Sequence, residues 1–352
     1  LIGIPYNVII IASIIISKGT NFYVLIIGSL IALISQVLFQ LPAVKRTGFK
    51  YNLKVDFKDE NVKYLIILIL PVLIGGGVEQ VNTLIDGTLA STFGEGVVTS
   101  FNYANRLYGF VSSIFVVSIL SVVYPIMAKT SAAEDTKAFK ISIKKTLNII
   151  LMFIIPICVG TLVLSGPIVK LLFERGKFNE SDTIMTANIL MVYIISILAF
   201  SLRNVISRAF YSLHDTKTPM INGAIAIVFN IVLNIVLSKY MGYLGLAIAT
   251  TIAAYIGLVI FLVTLRKRIG SFDGKSILAT AIKSIISAAI MGIATSICYN
   301  QLANVLGVGL ISQVIHLGLS ILVGVVVYAM SIFILKVEET QIVLDIIKKK
   351  IK

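Results

Sequence analysis

Apolar residues recur along this chain in long runs, separated by short polar, glycine or proline punctuation. The runs predict ten membrane-spanning helices, at 3–17, 22–41, 64–92, 97–128, 144–166, 181–211, 218–238, 243–265, 276–299 and 308–336. Most reach the ~18 residues that cross about 30 Å of hydrocarbon at about 1.5 Å per residue. The two-residue alternation of a transmembrane barrel is absent, so backbone hydrogen bonds are expected to close within helices. The expected fold is an all-α, polytopic transmembrane bundle. A last segment, EETQIVLDIIKKKIK, is too short and too charged to span and reads as a basic amphipathic helix on the membrane surface.

Composition agrees with the pattern. Charged residues make up 13% of the 352-residue chain, about half the share in a soluble domain, and mean hydropathy is +1.00. The net charge of +14 invites a nucleic-acid reading, but its distribution favours a membrane one. Of the 30 Lys and Arg, 21 fall after the second, fourth, sixth and eighth helices or in the tail, and five in the alternate loops. That asymmetry predicts cytoplasmic even-numbered loops and a cytoplasmic C-terminus, with membrane lipids as partners and no nucleic acid. Arg175 and Lys177, in LLFERGKF, run against it. Cys158 and Cys298 read as core hydrophobes, and two histidines supply no metal constellation. The chain opens at Leu1 inside an apolar run and is read as lacking its upstream part.

Four basic residues remain within or at the ends of spans: Arg106, Arg203, Arg208 and Lys283. Arg106 falls about 15 Å into the fourth helix at 1.5 Å per residue, near the midplane. Asn102, Arg106, Gly109 and Ser113 share one helical stripe, with Asn105 beside it. An arginine at that depth costs at least ~2.5 kcal/mol and has to face protein or water. It is either an anion site, since its planar fork suits phosphate or carboxylate, or half of an ion pair with the third helix. There, Glu79, Asn82 and Asp86 share a face, and antiparallel folding puts Arg106 opposite position 83. Arg203 and Arg208 are read as snorkelling to head groups.

Asp86, Asn230, Asn234 and Thr250 supply hard oxygen ligands on three helices. They are read as helix-bridging hydrogen bonds, worth about 0.6 kcal/mol each, with a Na⁺ or proton-coupled site as the other reading. Asp215 to Pro219 reads as the capping turn of the seventh helix. No phosphate loop, nucleophile elbow or metal-spaced cluster is found, which favours transport over catalysis by a membrane-embedded enzyme or a passive scaffold.

Three stretches carry a family likeness. ANRLYGFVSSIFVVSILSVVYPIMAK (104–129), LLFERGKF (171–178) and RAFYSLHDTKTPMINGAIAIVFNIVLN (208–234) resemble, in order, segments of MurJ/MviN-type lipid II flippases. In the last two, Arg175, Gly176, Arg208, Asp215, Thr216 and Pro219 carry the match. The external position of LLFERGKF fits that family. The resemblance implies a two-lobe, fourteen-helix transporter of the multidrug/oligosaccharidyl-lipid/polysaccharide exporter superfamily, of which these ten spans are the last ten. Residues 1–45 would close the N-terminal lobe, 46–63 form a basic cytoplasmic loop, and 64–266 make the six-helix C-terminal lobe. Residues 276–336 would be the extra pair lining a groove for the lipid tail, and 338–352 the basic tail.

The resemblance also implies roles. Arg106, with Asn102, Asn105 and Glu79, would hold the diphosphate-sugar head group of a lipid-linked peptidoglycan precursor in a bacterial cytoplasmic membrane. The protein would be a monomer without organic cofactor. Na⁺ would bind at Asp86, Asn230, the Leu246 backbone and Thr250, with Asn234 where the family usually has a carboxylate. Exporters of other polyprenyl-linked oligosaccharides and drug/cation antiporters are the rival functions. An antiporter would favour carboxylates over an arginine at the cavity face.

Overall fold

A computed structural model of the chain describes residues 3–17, 21–48, 82–133, 135–307 and 309–337, with single positions 59, 60, 62, 66, 69, 80 and 340. Every regular element among the described residues is helical. The chain divides into two compact units, Leu1–Leu65 and Ile66–Lys352.

In the first unit α1 (Gly3–Ser17) packs against α2 (Phe22–Arg46). The Ser13 side chain occupies the space a β-carbon on Gly28 would need, so glycine is what lets these backbones approach. Asn21 caps α2 by accepting the Tyr23 N–H at 3.1 Å. Ile14, Ile15, Ile16, Ile26 and Leu30 are exposed, as expected of helices solvated by lipid.

The second unit contains α3 (residues 82–91) and α4 (Val97–Val111), which runs through a π turn, Ser112–Val117, into α5 (Ser118–Ala132). There follow α6 (Thr136–Phe173), α7 (Glu180–Ser212), α8 (Lys217–Met241), α9 (Tyr243–Ile269), α10 (Gly274–Leu306) and α11 (Leu310–Ile334). Among the described residues, eight helical stretches are long and apolar enough to cross a membrane; this is a multi-span helical membrane protein. α7 is central, touching α4, α5, α6 and α9. The core joins Ile143, Leu147, Ile150 and Ile154 of α6 to Ile194 and Ile197 of α7 and Phe261 of α9. α8 packs along α9 and scarcely touches α7, and the α10–α11 pair rests on α6.

Two features depart from the sequence reading and one matches it. First, α6 begins at Thr136 instead of 144, because Asp135 accepts the Ala138 N–H at 2.9 Å and Phe139, Ile143 and Leu147 carry a buried stripe through the basic stretch. Lys137, Lys140, Lys144 and Lys145 therefore stand on a helix, not in a loop. Second, the fourth span is interrupted by the π turn just after Arg106. The capping turn read at Asp215 to Pro219 is present: the Asp215 carboxylate accepts the Thr218 N–H (2.9 Å) and hydroxyl (2.7 Å), while Thr216 makes no side-chain cap bond. The first part of the third span (positions 66, 69 and 80 apart) and the tail 338–352 (Thr340 apart) lie outside the described residues.

Candidate functional site

α4 has two faces. Val97, Ser100, Phe101 and Ala104 are buried, and Phe101 meets Tyr193 of α7 edge-on at 5.7 Å. The opposite face carries Asn102, Asn105, Arg106, Gly109 and Ser113, all exposed. Arg106 is anchored by the Tyr103 ring, 5.7 Å from its guanidinium carbon. Among the described residues it has no carboxylate within ion-pair distance; Glu79 lies outside them. The ion pair with Asp86 that helical-hairpin geometry allows is not formed. Asp86 takes its hydrogen bonds elsewhere.

Those bonds bring the second predicted group together. Asn234 on α8 donates to Asp86 Oδ1 on α3 at 2.5 Å and to Asn230 Oδ1 at 3.2 Å. Asn230 donates to Thr250 Oγ1 on α9 at 3.3 Å, and the Thr250 hydroxyl donates to the Leu246 carbonyl at 3.1 Å. Asn82 adds a donor to Asp86 Oδ2 at 3.3 Å. Asn234 is 0% and Asn230 4% exposed. Two buried amide oxygens in this cluster, Asn234 Oδ1 and Asn82 Oδ1, accept no hydrogen bond among the described residues, and buried acceptors normally have partners. One carboxylate and five neutral oxygens, two of them unpartnered, suit a hard monovalent cation. Groups of three or more His, Cys, Asp or Glu able to hold a metal are absent among the described residues.

Comparison with known proteins now decides the family. The family model of the lipid II flippase MurJ matches residues 4–317. The chain belongs to the MurJ family. A Vibrio cholerae protein named a probable lipid II flippase MurJ is 33% identical over 234 residues, 66% of this chain and 45% of that one. A Rickettsia prowazekii protein of the same name is 30% identical over 319 residues, 88% of this chain and 61% of that one. A solved structure described as lipid II flippase MurJ in an inward closed conformation superposes with a TM-score of 0.71 at 27% identity, covering 93% of this chain and 64% of that one. The chain thus spans about half to three-fifths of the length of these curated relatives.

The two MurJ-like signature loops have local structural explanations. In 171–178, Gly176 takes φ +65°, closing a turn in which Phe178 N–H donates to Arg175 O at 3.2 Å; Arg175 stays exposed. In 208–219, Pro219 is buried in the first turn of α8, and His214 turns the chain at φ +57°. Because α7 and α8 barely meet, a cleft of about 830 Å³ opens between them, with Arg203, Asn204, Ser207 and Arg208 on one wall and Asn82, Asn230 and Thr250 also lining it. Arg203 lies over Phe200 (4.6 Å) and Arg208 over Tyr124 (5.3 Å). Both arginines stand over aromatic faces beside this cleft. Sequence reasoning missed Tyr103, although it stands three residues before Arg106 on the same helix.

Proposed function

We propose that the full-length protein flips lipid II, a polyprenyl diphosphate-linked peptidoglycan precursor, across the bacterial cytoplasmic membrane by alternating access, without covalent chemistry. The observation that carries this reading is Arg106: an exposed guanidinium about ten residues into a spanning helix of a MurJ-family chain, flanked by Asn102 and Asn105 and with no carboxylate in ion-pair distance among the described residues. An arginine so placed keeps its fork available for a diphosphate. Glu79 completes the proposed head-group set. The α10–α11 pair is the proposed seat of the lipid tail.

Asp86, Asn230, Asn234, Thr250 and the Leu246 carbonyl are the proposed Na⁺ ligands. When bound, the ion would supply the positive charge that balances Asp86 in a low dielectric. The residues themselves fix three helices, α3, α8 and α9, to one point, so occupancy biases how these helices pack. The excess of basic residues in the even-numbered loops supports a cytoplasmic C-terminus, and the proposed working unit is a monomer. Arginine reads the diphosphate and not the glycan, so specificity for the sugar rests with other contacts.

Complementation tests the assignment. In flippase-depleted bacteria, full-length protein carrying Arg106→Ala should fail to restore growth at wild-type membrane abundance, with Arg106→Lys intermediate. Normal growth with Arg106→Ala would overturn the diphosphate role.

A further inference from the structure

Arg106 is exposed, and a free arginine side chain samples many rotamers; recognition of a diphosphate needs its fork in one direction. The contact that restrains it is the face of Tyr103, within the distance at which a guanidinium and an aromatic ring attract. Tyr103 is itself held on two sides. Its ring stacks on Phe173 at 4.4 Å with planes 30° apart, and meets Phe178 edge-on at 5.4 Å and 84°. Phe173 is the last residue of α6, and Phe178 immediately precedes Asn179, the N-cap of α7.

The intervening turn is closed at several points. Gly176 supplies the left-handed residue. Glu174 accepts the Thr183 hydroxyl at 2.7 Å and pairs with Lys170 at 3.5 Å. Asn179 and Asp182 form a reciprocal capping box. The same turn abuts the start of α4, because Asp182 Oδ1 would stand 3.2 Å from a β-carbon on Gly96, the α4 N-cap. The two phenylalanines of LLFERGKF meet Tyr103 of α4, while its basic residues, Arg175 and Lys177, are exposed.

We propose that Tyr103 is a positioning residue for Arg106, and that Phe173 and Phe178 are the jaws that hold Tyr103. This rests on the reading of Arg106 as the diphosphate-holding side chain. It gives the 171–178 signature a task beyond turning the chain: it transmits the rigidity of the α6–α7 turn to the guanidinium.

The test measures binding of undecaprenyl diphosphate to the full-length protein in nanodiscs, alongside thermal melting. Tyr103→Leu should weaken binding roughly two- to five-fold, the range of an exposed cation–π contact. Tyr103→Phe, which keeps the ring, should bind as wild type, and Phe173→Leu with Phe178→Leu should reproduce the loss. In an Arg106→Ala background Tyr103→Leu should cause no further loss of binding, although its effect on melting persists, because packing against Phe173 does not involve Arg106. Equal binding losses in both backgrounds, no loss in Tyr103→Leu, or a Tyr103→Phe variant as weak as Tyr103→Leu would each overturn the positioning role. Unaltered binding by Arg106→Ala alone would instead overturn the parent reading of Arg106, and the positioning role with it.

Discussion

Exchanging Asn234 for Asp should make stability strongly Na⁺-dependent. In the structure the Asn234 amide donates at 2.5 Å to Asp86 Oδ1 with its side chain fully buried. In Asn234→Asp a carboxylate oxygen takes the donor's place, so two carboxylates face each other and repel whenever both are ionised, and at lower pH they share a proton. At an effective dielectric of about 20, two like charges about 4 Å apart repel by about 4 kcal/mol, so at a pH high enough to ionise both carboxylates the cation-free variant should melt below wild type. A cation between them reverses the sign, and free ion at about a hundred times Kd adds about 2.7 kcal/mol. The assay is melting of purified full-length protein in NaCl and in choline chloride at equal ionic strength. Wild type should melt higher in Na⁺, Asn234→Asp should show a larger difference, and Asp86→Asn should show none. A Na⁺-over-choline difference that survives Asp86→Asn unchanged, or that fails to grow in Asn234→Asp, would refute the reasoning.

Two further expectations concern regions away from this cluster. Lys144 donates to Asp273 at 3.1 Å, and this hydrogen bond holds the Asp273 carboxyl below its ordinary value, aided by the Ser276 N–H. The stabilisation is present above the unfolded value near 3.9 and disappears as pH falls through the lower folded one; Asp273→Asn, which keeps a capping side chain, should therefore lower the melting temperature slightly at pH 7, less in high salt, and not at all once pH is below both values. Leucine in place of Gly324 would drive its β-carbon against the Thr295 hydroxyl and to 3.4 Å from Met291, so Gly324→Leu should cost about 1–3 kcal/mol by overpacking, seen as a lower melting temperature with an unchanged Na⁺ response.

Much of this fold was legible because lipid demands helices and leaves long apolar runs. Where a span ends depends on something finer. α6 carries Lys137, Lys140, Lys144 and Lys145 on its first turns, and a hydropathy reading counts those lysines as loop. What extends the helix is the Asp135 cap together with the Phe139, Ile143, Leu147 spacing, a soluble-type amphipathic signal joined to a membrane-type one. The π turn at Ser112–Val117 left no comparable trace: SSIFVV reads as uninterrupted apolar helix.

The candidate sites divide in the same way. Residues four apart on one helix had to share a face, and so Asn230 and Asn234 were found together. Which neighbour a face meets depends on rotation about the helix axis, which one helix's periodicity leaves open. Axial arithmetic put Arg106 opposite position 83, within reach of Asp86, yet the structure turns Asp86 toward α8, where Asn234 donates to it, and Asn82 of its own helix adds a second donor. The consequence is a separation of charge within one unit. The carboxylate is drawn into a buried oxygen cluster at α3, α8 and α9, and the guanidinium remains on the exposed face of α4. Had the two paired, each would have neutralised the other and neither would retain charge for a ligand. Held apart, each keeps its charge, which is what the proposed anion site at Arg106 and the proposed cation site at Asp86 both require.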